Sequence, residues 1–178
     1  HRKDSVEVPE KVANVDSAVE FQKGMIPMFY KMHACNELKR SHEREEGFKY
    51  DHVILLRPDL VVLEPLPEEV LANPNVLWSA GNGFYYKIDD RFLMSSSSNI
   101  DYVTSIWGHL NHYWETELGD SSGELGVPDS YTVDDGVHIG TPERLLHYHL
   151  KQSDIATASH DVRCFILRQD SRVAYHTY

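Results

Sequence analysis

A short apolar run that ends in charged residues is the feature that most constrains the fold of this sequence. Val53 to Leu56 are four consecutive apolar residues, and Arg57-Pro58-Asp59 follows them directly. An apolar run without alternation is typical of a strand that is covered on both faces in a mixed or parallel sheet. In such sheets ligands bind beyond the carboxyl ends of the strands. Because proline biases the preceding residue towards extended backbone, we expect Arg57 and Asp59 to project to the same side and to face a ligand crevice.

Two helices are predicted from their start signals and apolar spacing. Ser17-Ala18-Val19-Glu20 has the capping-box pattern, and a methionine-rich apolar stripe continues from it to Leu38, which predicts a long helix with its stripe in the core. We expect this helix to fade in the charged stretch 39–49. Thr141-Pro142-Glu143 combines a capping residue, a proline and an acid, and so predicts a second helix. Its predicted apolar face consists of Leu145, Leu146, His149 and Leu150.

The remaining elements give the fold class. Strands are predicted over 60–63, 76–80, 91–94, 155–159 and 162–167, and a third helix, capped by Ser97 or Ser98, runs through Trp114. This order predicts an α/β fold in which helices flank a mixed, mainly parallel sheet. A length of 178 residues suits one domain, which we place at 17–178 after a polar segment, 1–16. We expect the chain to be part of a longer protein.

Composition narrows the classes of partner. The formal net charge is -11, from 28 acids and 17 bases, which argues against nucleic acid as a partner because its phosphate backbone attracts clustered Lys and Arg. Carboxylates suit divalent cations instead. We find no apolar stretch of about 18 residues, so no membrane span is predicted in this chain. The sequence leaves open the oligomeric state, the pairing of Cys35 with Cys164, and the compartment, which would be the Golgi or secretory lumen for a eukaryotic protein and the cytoplasm for a bacterial or viral one.

Three acidic clusters lie near predicted strand ends or in loops: Arg57-Pro58-Asp59, Asp89-Asp90-Arg91 and Asp134-Asp135. Each also has a purely structural interpretation. Arg57 can pair with Asp59, and the other two clusters can be simple turns. A Mg²⁺ or Mn²⁺ ion, however, is often held by one or two protein carboxylates, with substrate phosphates and water as its other ligands. The clusters therefore predict a divalent-metal site.

The order of these segments resembles a known family. Tyr50-Asp51 precedes the apolar strand and Arg57-Pro58-Asp59-Leu60, Asp90-Arg91-Phe92 precedes a short strand, and Thr141-Pro142-Glu143-Arg144-Leu145-Leu146 begins a helix. This order is similar to that of GT-A-type glycosyltransferases of a viral, bacterial and algal kind, over roughly 17–168. In that family an RPDL-like segment carries the equivalent of the DxD motif. Here Arg57 replaces its first acid, Asp89 replaces a usual asparagine, and no nucleotide-gripping strand, loop and helix precede Ser17.

The resemblance implies transfer of a sugar from a nucleotide diphosphate donor to a glycan or other hydroxyl acceptor, assisted by Mn²⁺ or Mg²⁺. It implies metal binding by Asp59, completed by His160, and a general base at Asp134 or Asp135. The residues that it implies for donor and sugar binding are Arg57, Asp89, Asp90, Arg91, Trp78 and Tyr85. Two alternatives stay open: a catalytically inactive glycan-binding or interaction module, and a metal-dependent phosphohydrolase that uses the same carboxylates.

Overall fold

The computed structural model describes the backbone of residues 16–80, 88–116, 142–160, 162, 164–167 and 174–175, and most of their side chains. The helices are α1 (Asp16–Glu46), α2 (Glu68–Ala72), α3 (Ser97–Thr104), α4 (Ile106–Thr116) and α5 (Pro142–Lys151). The strands are β1 (Val53–Leu56), β2 (Leu60–Val62), β3 (Leu77–Ala80), β4 (Phe92–Ser95), β5 (Thr157–His160), β6 (Cys164–Ile166) and β7 (Ala174–Tyr175). The described part of the chain is thus an α/β fold, as the sequence predicts.

The main sheet has four strands in the order β1-β4-β3-β5. Its β1–β4 and β3–β4 pairs are antiparallel, and β3–β5 is parallel. A smaller sheet, β2-β6-β7, is antiparallel throughout. The prediction of a mainly parallel sheet is therefore wrong. Apolar runs mark strands but carry no direction, and the parallel pair forms only where helices α3 to α5 supply the crossover that parallel strands require.

The main sheet lies between the helices and the smaller sheet. On one face, Leu77 and Leu93 pack with the helices, and on the other, Trp78 and Met94 pack with the smaller sheet and with Val70 of α2. The methionine-rich stripe of α1 lies in the helical core, as predicted, since Met25 is buried and Met28 and Met32 pack against the same cluster. The predicted apolar face of α5 is also buried, and includes Leu145, Leu146, His149 and Leu150.

Strand β1 departs from its prediction. Its burial alternates: Val53 and Leu55 pack against the helical core, whereas Ile54 and Leu56 are each 46% exposed. The expectation of a strand covered on both faces is wrong. β1 is an edge strand of the main sheet, and the smaller sheet covers the central strands without burying these two side chains.

Three predicted helix boundaries also need correction. α1 begins at Asp16 rather than Ser17 and does not fade in the charged stretch, because ion pairs such as Arg40–Glu37 join successive turns until Gly47, at a φ of 72°, ends the helix. The third predicted helix is two helices, α3 and α4, which meet at Ser105. Ser96 caps α3 by accepting a hydrogen bond from the N–H of Asn99, whereas the Ser97 hydroxyl serves a tertiary contact with Glu43.

None of the helices described is long and apolar enough to cross a membrane.

Candidate functional site

Strand register brings several predicted site residues to one end of the main sheet. Leu56 lies opposite Phe92, and Ala80 lies opposite His160, so β1, β3 and β5 finish at the end where β4 begins. We call this the polar end of the sheet. The residues predicted from sequence that lie at it or directly next to it are Arg57, Asp59, Asp89, Asp90, Arg91 and His160.

A tight turn sets the geometry of the first pair. The N–H of Leu60 donates to the carbonyl of Arg57 at 3.0 Å, with Pro58 in the second position that turns of this kind favour. Arg57 then donates two hydrogen bonds to the Asp59 carboxylate, from Nε to Oδ1 at 2.9 Å and from Nη2 to Oδ2 at 2.7 Å. The hydrogen bond with Asp59 raises the pKa of the Arg57 guanidinium. The two side chains lie on the same side of the chain, as predicted, but they bind each other.

The second pair is more deeply buried. Asp89 is 3% exposed, and its carboxylate accepts hydrogen bonds from the Arg91 N–H at 2.9 Å and from Arg91 Nε at 2.7 Å. Arg91 Nη2 donates to the same carboxylate. The N–H of Arg57 donates to the carbonyl of Arg91 at 3.0 Å, which ties the two pairs together. Asp89 is therefore not part of an exposed turn; it holds the Arg91 guanidinium in place.

Asp90 lies between Asp89 and Arg91 in sequence, and its carboxyl is within electrostatic range of both ion pairs. No hydrogen bond or ion pair joins its partly buried carboxyl to another described residue. The pKa of Asp90 is raised to about 6: burial has the largest effect, the neighbouring carboxylates of Glu143 and Asp89 add to it, and Arg57 and Arg91 oppose it. A carboxyl with such a pKa exchanges a proton near neutral pH, which is a property of general bases and acids.

Glu143 is the member of this group that the sequence did not indicate as a site residue. It lies in the first turn of α5, where an acid is a general signal for the start of a helix. Only the folded structure brings its carboxylate within electrostatic range of Asp90. In the sequence, the start of the helix is a sufficient reason for an acid at position 143, so nothing marks Glu143 as a site residue.

The other predicted residues have different positions. The Trp78 ring is 6% exposed and lies in the core between the sheets, and its indole N–H donates to the carbonyl of Asn73 at 3.1 Å. His160 is partly buried at the end of β5, the edge strand opposite β1. Tyr85, Asp134 and Asp135 lie outside the described residues.

The described carboxylates and histidines are not arranged as a complete metal site. Three strand spacings of about 4.8 Å separate β1 from β5, so the end of β1 and His160 lie on the order of 14 Å apart in the main sheet, and Asp59 follows β1 after a turn. Within the described ranges no three His, Cys, Asp or Glu side chains are grouped as ligands. Mg²⁺ and Mn²⁺ can nevertheless bind through one carboxylate when phosphates and water fill the other positions. The donors fit a metal that arrives with a phosphate ligand.

The chain was compared with protein-family models and with curated proteins, and neither comparison gave a match.

Proposed function

We propose that this protein transfers a sugar from a nucleotide diphosphate donor to a hydroxyl acceptor, and that the reaction occurs at the polar end of the sheet. The observation that carries the proposal is the partly buried Asp90 carboxyl, which has a raised pKa and is within electrostatic range of Arg57 and Arg91, the arginines of the two ion pairs. We include in the proposal a single GT-A-like domain over 17–178. The parallel β3–β5 pair and the helices on one face of the sheet are compatible with it.

The donor diphosphate requires positive charge. Guanidinium groups bind phosphate oxygens with paired hydrogen bonds, and Arg57 and Arg91 present two of them at the same end of the sheet. The side chains of Arg57 and Asp59 are each 36% exposed. Because ion pairs at such exposure are weak, a phosphate can replace Asp59 as the partner of Arg57 at little cost.

In this exchange the Asp59 carboxylate would turn from Arg57 to Mn²⁺ or Mg²⁺. When bound, the ion neutralises the negative charge that develops on the leaving diphosphate. Asp89 and the hydrogen bonds that it accepts keep Arg91 fixed during this exchange, since that pair is much less exposed. The two pairs thus have different roles: the Arg91 guanidinium is held rigidly, and the Arg57 guanidinium is available to move.

Asp90 is the residue that we assign to proton transfer. The acceptor hydroxyl oxygen attacks the anomeric carbon, the bond from that carbon to the diphosphate oxygen breaks, and the diphosphate leaves with the electron pair. The hydroxyl proton passes to the Asp90 carboxylate, whose pKa of about 6 suits a base at neutral pH. Asp134 and Asp135 stay predictions for this role, outside the described residues.

One observation favours a non-catalytic glycan-binding module as the second candidate. Both arginines are paired with carboxylates of their own chain, so the site is closed to phosphate unless a pair opens. A module of this kind would bind glycan without nucleotide. A phosphohydrolase would use the same carboxylates but release inorganic phosphate.

Titration calorimetry with Mn²⁺ and a panel of UDP- and GDP-sugars tests the proposal. We expect manganese-dependent nucleotide binding that Asp59→Asn abolishes and that Glu37→Gln leaves unchanged. Glu37 is a matched control because it is also a surface carboxylate paired with an arginine, Arg40, but lies on α1. Binding of free glycan without nucleotide would favour the module, and steady release of inorganic phosphate would favour the hydrolase.

A further inference from the structure

Strand β1 presents an unusual combination of features for an edge strand. It is the first strand of the main sheet, and β4 is its only neighbour among the described residues. The side chains of Ile54 and Leu56, on the face of the sheet away from the helical core, are apolar and each 46% exposed. Edge strands of soluble proteins are normally protected by charges, prolines or covering segments, because their unpaired backbone groups can pair with another strand. Among the described residues, no segment covers the outer edge of β1, and the flanking residues of the kinds that protect edges are Asp51, Arg57 and Pro58.

The ladder with β4 shows which backbone groups of β1 point outwards. The N–H of Arg57 donates to the carbonyl of Arg91, so Arg57 lies in a hydrogen-bonded pair of the antiparallel ladder. Such pairs alternate along a strand, so Leu55 and Val53 also bond to β4. The N–H and C=O groups of Ile54 and Leu56 therefore point away from the sheet, as do those of His52 if the strand is extended by one residue.

We propose that β1 pairs in antiparallel orientation with β1 of a second copy of this chain, which joins two main sheets across a twofold axis. The register that satisfies the outward groups best places Ile54 opposite Ile54 of the second copy. His52 then lies opposite Leu56 of the second copy, and Leu56 opposite its His52. These three pairs supply about six backbone hydrogen bonds, and none requires the missing N–H of Pro58.

Charge complementarity supports this register over its neighbours. With Ile54 on the twofold axis, Asp51 of each copy lies opposite Arg57 of the other. Asp51 is exposed, and the Arg57 side chain is 36% exposed, so both can reach across the pair. A shift that centres the pair on Leu55 would instead set Asp51 opposite Asp59 of the second copy and place Pro58 against His52. Opposite charges across a strand pair are favourable and like charges are not.

The strength of this association is limited. A four-residue strand buries little area, and interfaces below about 1,200 Å² are typically transient. Each copy also carries a net charge of -11, which opposes association over long range. We therefore expect a weak, concentration-dependent dimer rather than a permanent one.

Sedimentation equilibrium over a range of protein concentrations tests the proposal. We expect a reversible monomer–dimer equilibrium that Ile54→Lys weakens by at least about tenfold, because it sets two ammonium groups against each other on the axis. Leu38→Lys is the control: Leu38 is 73% exposed on α1, and its substitution should leave the dimer intact. Asp51→Arg, a substitution at an exposed position before the strand, should also weaken the dimer. A monomer at every concentration, or a dimer that Ile54→Lys and Asp51→Arg leave unchanged, would overturn the proposal. The Asp51–Arg57 pair uses an arginine of the candidate site, whereas Ile54→Lys changes no residue of that site, so nucleotide binding by the Ile54→Lys variant distinguishes a failure of this proposal from a failure of the proposed function.

Discussion

Glu43 and Asp90 are both carboxyl groups withdrawn from water, yet their pKa values move in opposite directions. Burial raises the pKa of Asp90 to about 6. Burial also acts to raise the pKa of Glu43, but hydrogen bonds from Lys49, Ser97 and the Tyr50 N–H outweigh it and lower that pKa to about 2. The partners differ: the Glu43 side chain, although only 1% exposed, accepts hydrogen bonds from three donors, whereas no described residue donates a hydrogen bond to the Asp90 carboxyl.

The surroundings of Glu43 form a closed network between α1 and α3, made of Lys39, Glu43, Lys49, Ser97 and Asp101. Lys49 Nζ lies 2.8 Å from Glu43, Lys39 Nζ lies 2.8 Å from Asp101, and the Ser97 hydroxyl donates to Glu43 at 2.5 Å. Each charge has an opposite partner within the network. The network also holds the backbone of Tyr50, which leads into β1. Its role is therefore structural, whereas the Asp90 carboxyl at the polar end of the sheet has no hydrogen-bond partner among the described residues.

The largest expected effect is on stability at the closed network. Glu43→Ala should lower the free energy of unfolding by about 3 kcal/mol, because it removes the buried acceptor of the hydrogen bonds from Lys49, Ser97 and the Tyr50 N–H. Urea denaturation measures this. Glu37→Ala removes an exposed carboxylate from the same helix and should cost less than about 1 kcal/mol. Equal losses in the two variants would contradict the structural role of the network.

Substitution of Asp90 is expected to change the free energy of unfolding in the opposite direction. Asp90→Asn should raise the free energy of unfolding at pH 7 by about 2 kcal/mol, because the amide avoids the cost of a poorly compensated buried charge. The same substitution should lower the rate of sugar transfer by about 100-fold or more, since the amide cannot accept the proton. A variant that is destabilised and still active would show that Asp90 has a structural role instead.

The two carboxyls should also differ in their pH windows. The pKa of Glu43 is lowered from 4.5, so its contribution is fully present above about pH 4.5 and is lost as the pH falls towards 2. The pKa of Asp90 is raised from 3.8, so folding binds an extra proton between pH 3.8 and about 6, and stability declines as the pH rises through that window. Unfolding free energies of wild type and Asp90→Asn should therefore converge at or below pH 3.8. A constant difference from pH 3 to 8 would argue against the raised pKa.

The smallest effect on stability is expected at Arg57. Arg57→Ala removes a pair whose members are one-third exposed, and should cost less than about 1 kcal/mol. Nucleotide affinity should nevertheless fall by about tenfold, since a hydrogen bond to a charged group is lost. Arg40→Ala is the matched control, with a similar exposed pair on α1 and no expected change in affinity. Calorimetry of the two variants separates the effects.

Local signals account for what the sequence predicted well. The start of α5 and its buried face follow from Pro142, Glu143 and the spacing of apolar residues, all within three turns of helix. The position of Arg57 and Asp59 at the end of β1 follows from a strand, a proline and a tight turn. These features depend on neighbours in the chain, so their prediction needs no knowledge of the fold.

The features that the sequence did not predict correctly all depend on residues that are distant in the chain. Strand directions in the main sheet, and the exposure of Ile54, depend on which elements cover β1, and an apolar run contains no information about that. The sequence predicts Ser97 as a possible helix cap, but its hydroxyl donates a hydrogen bond to Glu43 of α1, and Ser96 is the cap instead. The environment of Asp90 likewise depends on Glu143 from α5. Its candidate role as a base became visible only after the structure had brought them together.

The contrast between Glu43 and Asp90 is tested most directly by a carbon-detected NMR titration of the side-chain carboxyl groups. We expect Asp90 to titrate near pH 6 and Glu43 near pH 2 in the same sample. Addition of a nucleotide diphosphate with Mn²⁺ should change the midpoint for Asp90 and leave that for Glu43 in place. An Asp90 midpoint below pH 4 that nucleotide does not affect would contradict the proposal that the polar end of the sheet is the functional site.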